Sequence, residues 1–425
     1  MKKITIHNIG PIKHVELNLK RINVIIGPQS AGKSCVLKIA CFCAWLEKKI
    51  ELLQGSMITE EKNFWEDNLI GFHRLDGFMK PGEGSYFIYS TSSMTFSYYY
   101  DDHLFDFKWK AAGRWKYRRS RVSYIPAERN IVSVVPNWMD VNLNDDNIRN
   151  FISDWYAARQ LHGSKSGLDI LNLGVKYYYD EGKHLDRILM DDGTPLGFSE
   201  ASSGLHSLIP MLVYLDFLFE GQYNGKAPSK MNDENLNAFV LQTIYNTKFK
   251  KGLGDLFRNG EAKYFKIGSL NLPFVSEEKA DECKGLYKAY TQTSSSDIYL
   301  EEPEQNLFPQ TQVELVYEMT RRSAKHADSL FIATHSPYIL YALNNCMQGY
   351  LVRNQLPENL KSKAASWLSP KEVAVWELRE GELSSETDKT FKTLQDEDGL
   401  IRGNYFDRIM HNIMADFTNY AAYYE

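Results

Sequence analysis

Four stretches of the 425-residue chain carry residue types and spacings that could do chemistry. The first is GPQSAGKS at 27–34, which follows the apolar run INVII at 22–26 and opens a helical pattern. Two glycines flanking four residues, followed by Lys and Ser, let the backbone N–H groups of Gln29 to Lys33 curve around a phosphate, with the positive end of a helix behind them. Gly27, Pro28, Gln29, Ser30, Ala31, Gly32, Lys33, Ser34 and Cys35 form this candidate nucleotide cradle. Lys33 would reach the β- and γ-phosphates, and the Ser34 hydroxyl would coordinate Mg²⁺. A glycine-rich turn with no ligand is the plainer alternative.

The second stretch is DIYLEEPEQNLFP at 297–309, an apolar strand ending in Glu301 and Glu302. Carboxylates at a strand's carboxyl end stand where parallel sheets place their ligand-binding groups. One can hold the metal through water, and the other can orient and deprotonate an attacking water. An exposed acidic turn is the alternative. The third, LFIATHSP at 330–337, is a buried strand delivering His335 to the same edge, which reads as a γ-phosphate sensor, although a lone histidine is more often structural. The fourth is Ser202, Ser203 and Gly204 before an apolar helix, a second anion site or simply an N-cap.

Two further groups have competing readings. Glu128 and Arg129, after the strand at 122–125, either sense the metal or γ-phosphate or form a structural ion pair. Lys108, Lys110, Arg114, Lys116, Arg118, Arg119 and Arg121, interleaved with Trp109, Trp115 and Tyr117, could track a nucleic-acid backbone and stack on bases. Strand alternation alone explains the same pattern as a hairpin with aromatic residues inward and cations outward.

The elements that must position these groups follow from period and punctuation. Residues 2–8 and 14–19 read as strands joined through Gly10 and Pro11, and the helix after Lys33 runs to about Gln54. A polar helical stretch covers roughly 58–72. Strand-like runs from Ser85 to Ile125 form an antiparallel β-lobe, a helix spans 144–161, and a hairpin at 175–190 leads to Ser202. Residues 221–290 read as an insertion with helices at 235–251 and 276–290. Strand-like pieces follow at 349–352 and 373–378. In the final helix Phe406, Ile409, Met410, Ile413, Met414, Phe417 and Tyr420 form an apolar stripe expected to pack on its own domain.

Composition bounds the class. With 43% hydrophobic and 24% charged residues the chain is an ordinary globular one, and its net charge of −5 argues against a generally basic surface for nucleic acid. Five cysteines without a Cys-x-x-Cys pair argue against a disulfide framework or zinc site and fit a reducing cytoplasm. No apolar run reaches the roughly 20 residues of a membrane helix, and the N-terminus lacks the apolar core of a signal peptide.

In combination, the phosphate loop, β-lobe, Ser-Ser-Gly helix, Glu-Glu strand and Thr-His strand resemble the ATP-binding-cassette (ABC) type of ATPase head, in the SMC, Rad-fifty-like and RecF-like branch. EEPEQNLFP, ATHSP and ASSGL look most like the OLD-family ATPases and the ATPase subunits of Septu- and PARIS-type antiphage systems. The resemblance implies an α/β P-loop NTPase fold: a mixed central sheet with an antiparallel β-lobe and a helical lobe. It divides one head into a P-loop core at 1–80, the β-lobe at 81–130, a helical signature region at 131–220, a helical insertion at 221–290, a second core part at 291–350 and an α/β extension at 351–425. By position, residues 27–34 would be the Walker A loop and Ser202, Ser203 and Gly204 the signature motif acting in trans. Glu301 would be the metal-side acid, Glu302 the catalytic base, Gln305 to Phe308 the D-loop and His335 the switch histidine. The signature lacks the second glycine of transporters, the first acid is Glu rather than Asp, no glutamine loop is recognisable, and no heptad run provides SMC-like arms. The resemblance further implies ATP and Mg²⁺ as cofactors, two heads closing on two ATP molecules, and control of a separately encoded effector such as a TOPRIM or HNH nuclease in antiviral defence. A RecF- or SMC-like DNA-maintenance ATPase that clamps DNA directly is the alternative.

Overall fold

The computed structural model describes residues 2–135, 138, 141–224, 232–250, 263–385 and 392–424. In chain order its strands are β1 (Lys2–Ile9), β2 (Ile12–Leu19), β3 (Ile22–Ile26), β4 (Tyr86–Ser90), β5 (Met94–Tyr99), β6 (Leu104–Trp109), β7 (Ser120–Ile125), β8 (Leu168–Asp169), β9 (Val175–Asp180), β10 (Leu185–Met190), β11 (Pro195–Gly197), β12 (Lys263–Ile267), β13 (Leu270–Phe274), β14 (Ser295–Glu301), β15 (Ser329–Ala333), β16 (Val373–Arg379) and β17 (Glu382–Ser384). The helices are α1 (Lys33–Leu53), α2 (Ile131–Val134), α3 (Asn147–Arg159), α4 (Ser203–Phe219), α5 (Asn232–Ile244), α6 (Glu277–Thr291), α7 (Pro309–Ser323), α8 (Pro337–Val352) and α9 (Tyr405–Ala421).

Eleven strands form one mixed sheet in the order β6-β5-β4-β1-β2-β17-β16-β3-β15-β14-β7. β16, β3, β15, β14 and β7 are mutually parallel, and β6 to β2 form an antiparallel wing. The parallel strands are buried on both faces, so they read as near-continuous apolar runs. Their alternation is nevertheless strict. Val24, Ile298, Leu300, Ile332 and Val375 face a core shared with α3, α4, α7 and α8. Ile25, Tyr299, Phe331 and Trp376 face a second core in which the sheet and its antiparallel wing enclose α1. Helix α1 is therefore covered on most sides, which its all-round apolar sequence requires.

Four expectations about elements are corrected. β6 and β7 are not a hairpin: they occupy opposite ends of the sheet, and β7 belongs to the parallel core through its register with β14 (Ser120 opposite Ser295). β4, β5 and β6 continue the wing begun by β1, so the 81–130 stretch is split between two parts of the fold. Residues 349–352 close α8 rather than forming a strand, because that helix buries Met347 and Gly349 against its neighbours. Beyond Phe406, which packs against the first core, the apolar stripe of α9 does not pack on its own domain; Ile413, Phe417 and Tyr420 are 56%, 66% and 73% exposed.

The 221–290 stretch contains a β12–β13 hairpin beside the expected helices, and residues 225–231 and 251–262 lie outside the described residues. The hairpin, α5 and α6 form a third core that also takes in Leu52 at the end of α1, Trp115 and Tyr117. Among the described residues no helix is long and apolar enough to cross a membrane.

Candidate functional site

β3 delivers the phosphate loop, and α1 begins at Lys33 directly after it. The turn needs its glycines. Gly27 and Gly32 have φ of 148° and 100°, a Cβ on Gly27 would collide with the Leu378 carbonyl, and one on Gly32 would lie 2.5 Å from Ile12 Cδ1. The first turn of α1 has no side-chain cap and no acidic residue, leaving its N–H groups and dipole to an anion.

Gln29, Ser30 and Ser34 are exposed at the loop, whereas Lys33 is buried and donates from Nζ to the carbonyls of Gly27 (2.9 Å) and Pro28 (2.7 Å). Burial pushes the Lys33 ammonium down to about 8, with Glu302 and Glu304 pulling it part of the way back. Both observations describe a cation waiting for a stronger anionic partner. Cys35 differs from its neighbours in the loop. Its thiol is buried against the Ile9 carbonyl at 3.7 Å and raised to about 12, so only its main chain is left to face a phosphate.

β14 and β15 bring the acidic and histidine motifs to the same sheet edge, since β15 lies between β14 and β3. Glu301 is buried; its Oε2 accepts from Ala127 N at 3.3 Å, and its Oε1 has no hydrogen-bond partner. Such an orphaned buried carboxylate oxygen fits a cation or its water shell. Mg²⁺ takes only one or two protein ligands besides phosphates and waters. The exposed Ser34 hydroxyl and Glu301 supply that number, and no larger metal-ligand cluster occurs among the described residues.

Glu302 adopts φ of 42°, unusual for a non-glycine residue, and its N–H donates to Ala333 O at 2.9 Å. Its Oε1 lies 3.8 Å from His335 Nε2. Burial, and after it the charge of Lys33, hold the His335 ring below the usual histidine range, so it is neutral at pH 7. Lys33, Glu302 and His335 thus form one neighbourhood.

Two residues hold that neighbourhood in place. Glu304 accepts from His335 N at 2.5 Å and from Thr334 Oγ1 at 2.8 Å, which fixes the β15 exit against the acidic turn. Its role was overlooked, although it lies within the EEPE string. Arg129 is completely buried and donates to the carbonyls of Ser207, Pro126, Glu301 and Glu302. Its guanidinium is therefore committed to the backbone beneath the acids. Glu128 points elsewhere, exposed and 3.2 Å from Arg74.

Ser202 caps α4, its Oγ accepting from Leu205 N, and Ser202 and Ser203 are both exposed. α4 has no acidic residue in its first turn, so its N-terminus presents N–H groups outward. The stretch from Gln305 to Phe308 abuts this end: Asn306 Nδ2 donates to Ser207 Oγ at 2.9 Å, and a Cβ on Gly204 would lie 3.1 Å from Asn306 O. Phe308 is 76% exposed.

The basic stretch is dispersed. Lys110 donates to Ser90 Oγ and Thr91 O, Arg114 stacks 4.7 Å over Trp109, Arg119 donates to Thr291 O, and Arg121 pairs with Asp154 at 2.9 Å. Lys108, Lys116 and Arg118 remain exposed, while Trp115 and Tyr117 pack into the third core.

No protein-family model and no curated protein matches the chain. Among solved structures it is similar to the SMC head domain from Thermotoga maritima, at 9% identity and a TM-score of 0.33 over 80% of this chain and 90% of that one. It is similar to the recombination mediator RecF, at 12% identity and a TM-score of 0.28 over 90% of this chain and 96% of that one. It is also similar to an ABC transporter's ATP-binding cassette in its ADP conformation, at 11% identity and a TM-score of 0.25 over 91% of each chain.

Proposed function

We propose that the chain is an ATPase whose head closes on a second copy around ATP and Mg²⁺. The observation that carries this is the meeting of Lys33, Glu302 and His335 beside an uncapped helix N-terminus. The loop N–H groups and Lys33 bind the β- and γ-phosphates, and Lys33 gives up the Gly27 and Pro28 carbonyls to do so. Ser34 and Glu301 would hold Mg²⁺, which would supply neutralisation of the phosphate charge. Glu302 takes a proton from the attacking water as its oxygen bonds to the γ-phosphorus and the bond to the β-phosphate oxygen breaks. Neutral His335, beside Glu302, serves as the γ-phosphate sensor. Exposed Ser202 and Ser203, with half-buried Gly204, at the N-terminus of α4 complete the site of the opposing copy.

The test is phosphate release and nucleotide binding measured together. Lys33→Ala should abolish ATP binding and turnover, whereas Glu302→Gln should keep binding and lose turnover by at least about 100-fold. Turnover unchanged in either variant would overturn the assignment.

For the output of this cycle, we favour control of a separately encoded effector, a nuclease in antiviral defence, over direct clamping of DNA. What supports this choice is the internal commitment of Lys110, Arg114, Arg119 and Arg121, which leaves too few cations in this stretch to grip a duplex. ATPase activity unaffected by duplex DNA at low salt fits the effector reading; strong stimulation that fades steeply with salt favours the DNA clamp.

A further inference from the structure

A cavity of about 340 Å³ opens between the far half of α1, the start of β7, α3 and the turn at 66–73, and no residue of the phosphate loop lines it. Lys48 lies about 22 Å along α1 from Lys33, so this is a separate place on the molecule. Its volume falls within the range of small-molecule sites.

The lining is cationic and aromatic. Lys48, Arg119 and Arg121 face it, against a single carboxylate, Asp154, and that carboxylate is already taken by Arg121 at 2.9 Å and by the Tyr214 hydroxyl. Lys48 forms no ion pair among the described residues; burial and then Arg119, Arg121 and Lys49 push its ammonium down to about 7. Three buried atoms of the lining, Arg119 Nε, His73 Nδ1 and the Tyr124 hydroxyl, lack hydrogen-bond partners. Trp45, Phe72 and Tyr124 supply ring surfaces, and Asn68 and Asn150 supply amides. Lys48 and Arg119, which have no carboxylate partner among the described residues, stand beside these orphaned polar atoms, a set that a bound anion would satisfy. Rings beside them add stacking surface.

We infer that this cavity is a second ligand site, taking an organic phosphate that carries a planar ring and is about the size of a mononucleotide. Its phosphate is met by Lys48 and Arg119, and its ring lies against the aromatic wall. The same chemistry is offered by a free nucleotide and by the phosphorylated end of a strand.

The test uses the full chain carrying Lys33→Ala, so that binding here is read apart from the phosphate loop. Each ribonucleoside 5′-monophosphate, inorganic phosphate and a 5′-phosphorylated single-stranded decamer are titrated by calorimetry. At least one monophosphate should bind with Kd below about 1 mM and more tightly than inorganic phosphate. Adding Lys48→Met should weaken it at least about tenfold, with the circular dichroism spectrum and melting temperature retained. Should Lys48→Met not fold, Arg119→Lys serves in its place. Decamer binding tighter than the monophosphate assigns strand ends, and equal or weaker binding assigns the free nucleotide; both support the chemistry. No monophosphate binding below about 1 mM, or binding indifferent to the Lys48 or Arg119 change, overturns the inference.

Discussion

Lys33 decides how the proposed nucleotide site responds to pH. Its ammonium has a depressed pKa of about 8 in the empty site, because burial disfavours the charged form. Below pH 8 it is already protonated, and binding phosphate requires no proton uptake. Above pH 8 the empty site is neutral while the bound site is charged, so affinity must fall as pH rises. ATP should bind about tenfold more weakly at pH 9 than at pH 7; a titration giving equal affinity at both would contradict the Lys33 assignment. Glu304 makes a separate prediction, since it holds the main chain of His335 rather than any phosphate. Glu304→Ala should lower kcat about 10- to 100-fold through misplacement and leave nucleotide affinity within about twofold. Lost affinity with unchanged kcat would count against that role. Lys33, Glu301, Glu302 and His335 are legible in sequence because their motifs fix both residue type and strand-end position. Glu304 and Arg129 are not, since their partners are main-chain atoms of segments that only the fold brings near.

At the scale of elements, Arg129 joins the turn after β7, the end of β14 and helix α4 through four carbonyls. Arg129→Met keeps the bulk but removes the guanidinium donors from these buried carbonyls, of which only Pro126 O keeps the residue's own N–H, and this costs about 3 kcal/mol. Urea unfolding should show the midpoint falling with the m-value unchanged; a midpoint shift equivalent to less than about 0.5 kcal/mol would refute the clamp. The parallel strands were readable as apolar runs, and α1 and α3 as periodic helices. Pairing was not. Alternation in β6 and β7 says that each is a strand but not which strand it neighbours, and β7 finds its partner in β14, beyond the whole insertion. The apolar 349–352 stretch illustrates the same limit: a short apolar run suits either a strand or a helix end, and the close approach of Gly349 to Trp367 decides it.

Across the whole molecule, three cores hold the eleven-stranded sheet, the smaller four-stranded sheet β11-β10-β9-β8, the helices and the insertion, and the chemical groups collect at the carboxyl ends of β3, β14 and β15. Two features face outward from this assembly: the N-terminus of α4 with Ser202 and Ser203, and the apolar stripe of α9. The α9 stripe was visible in sequence, but periodicity reports only that a face is apolar and not what covers it. The outward-facing Ser202 and Ser203 give the central claim its sharpest consequence, because on the proposed function a site completed by another copy must assemble when ATP is bound and cannot be hydrolysed. The most direct measurement is the solution mass of the Glu302→Gln chain by light scattering, with saturating ATP and Mg²⁺ and again with ADP. A dimer with ATP that returns to monomer with ADP is the result the account predicts. A strictly monomeric mass in ATP, with binding verified on the same sample, would contradict it.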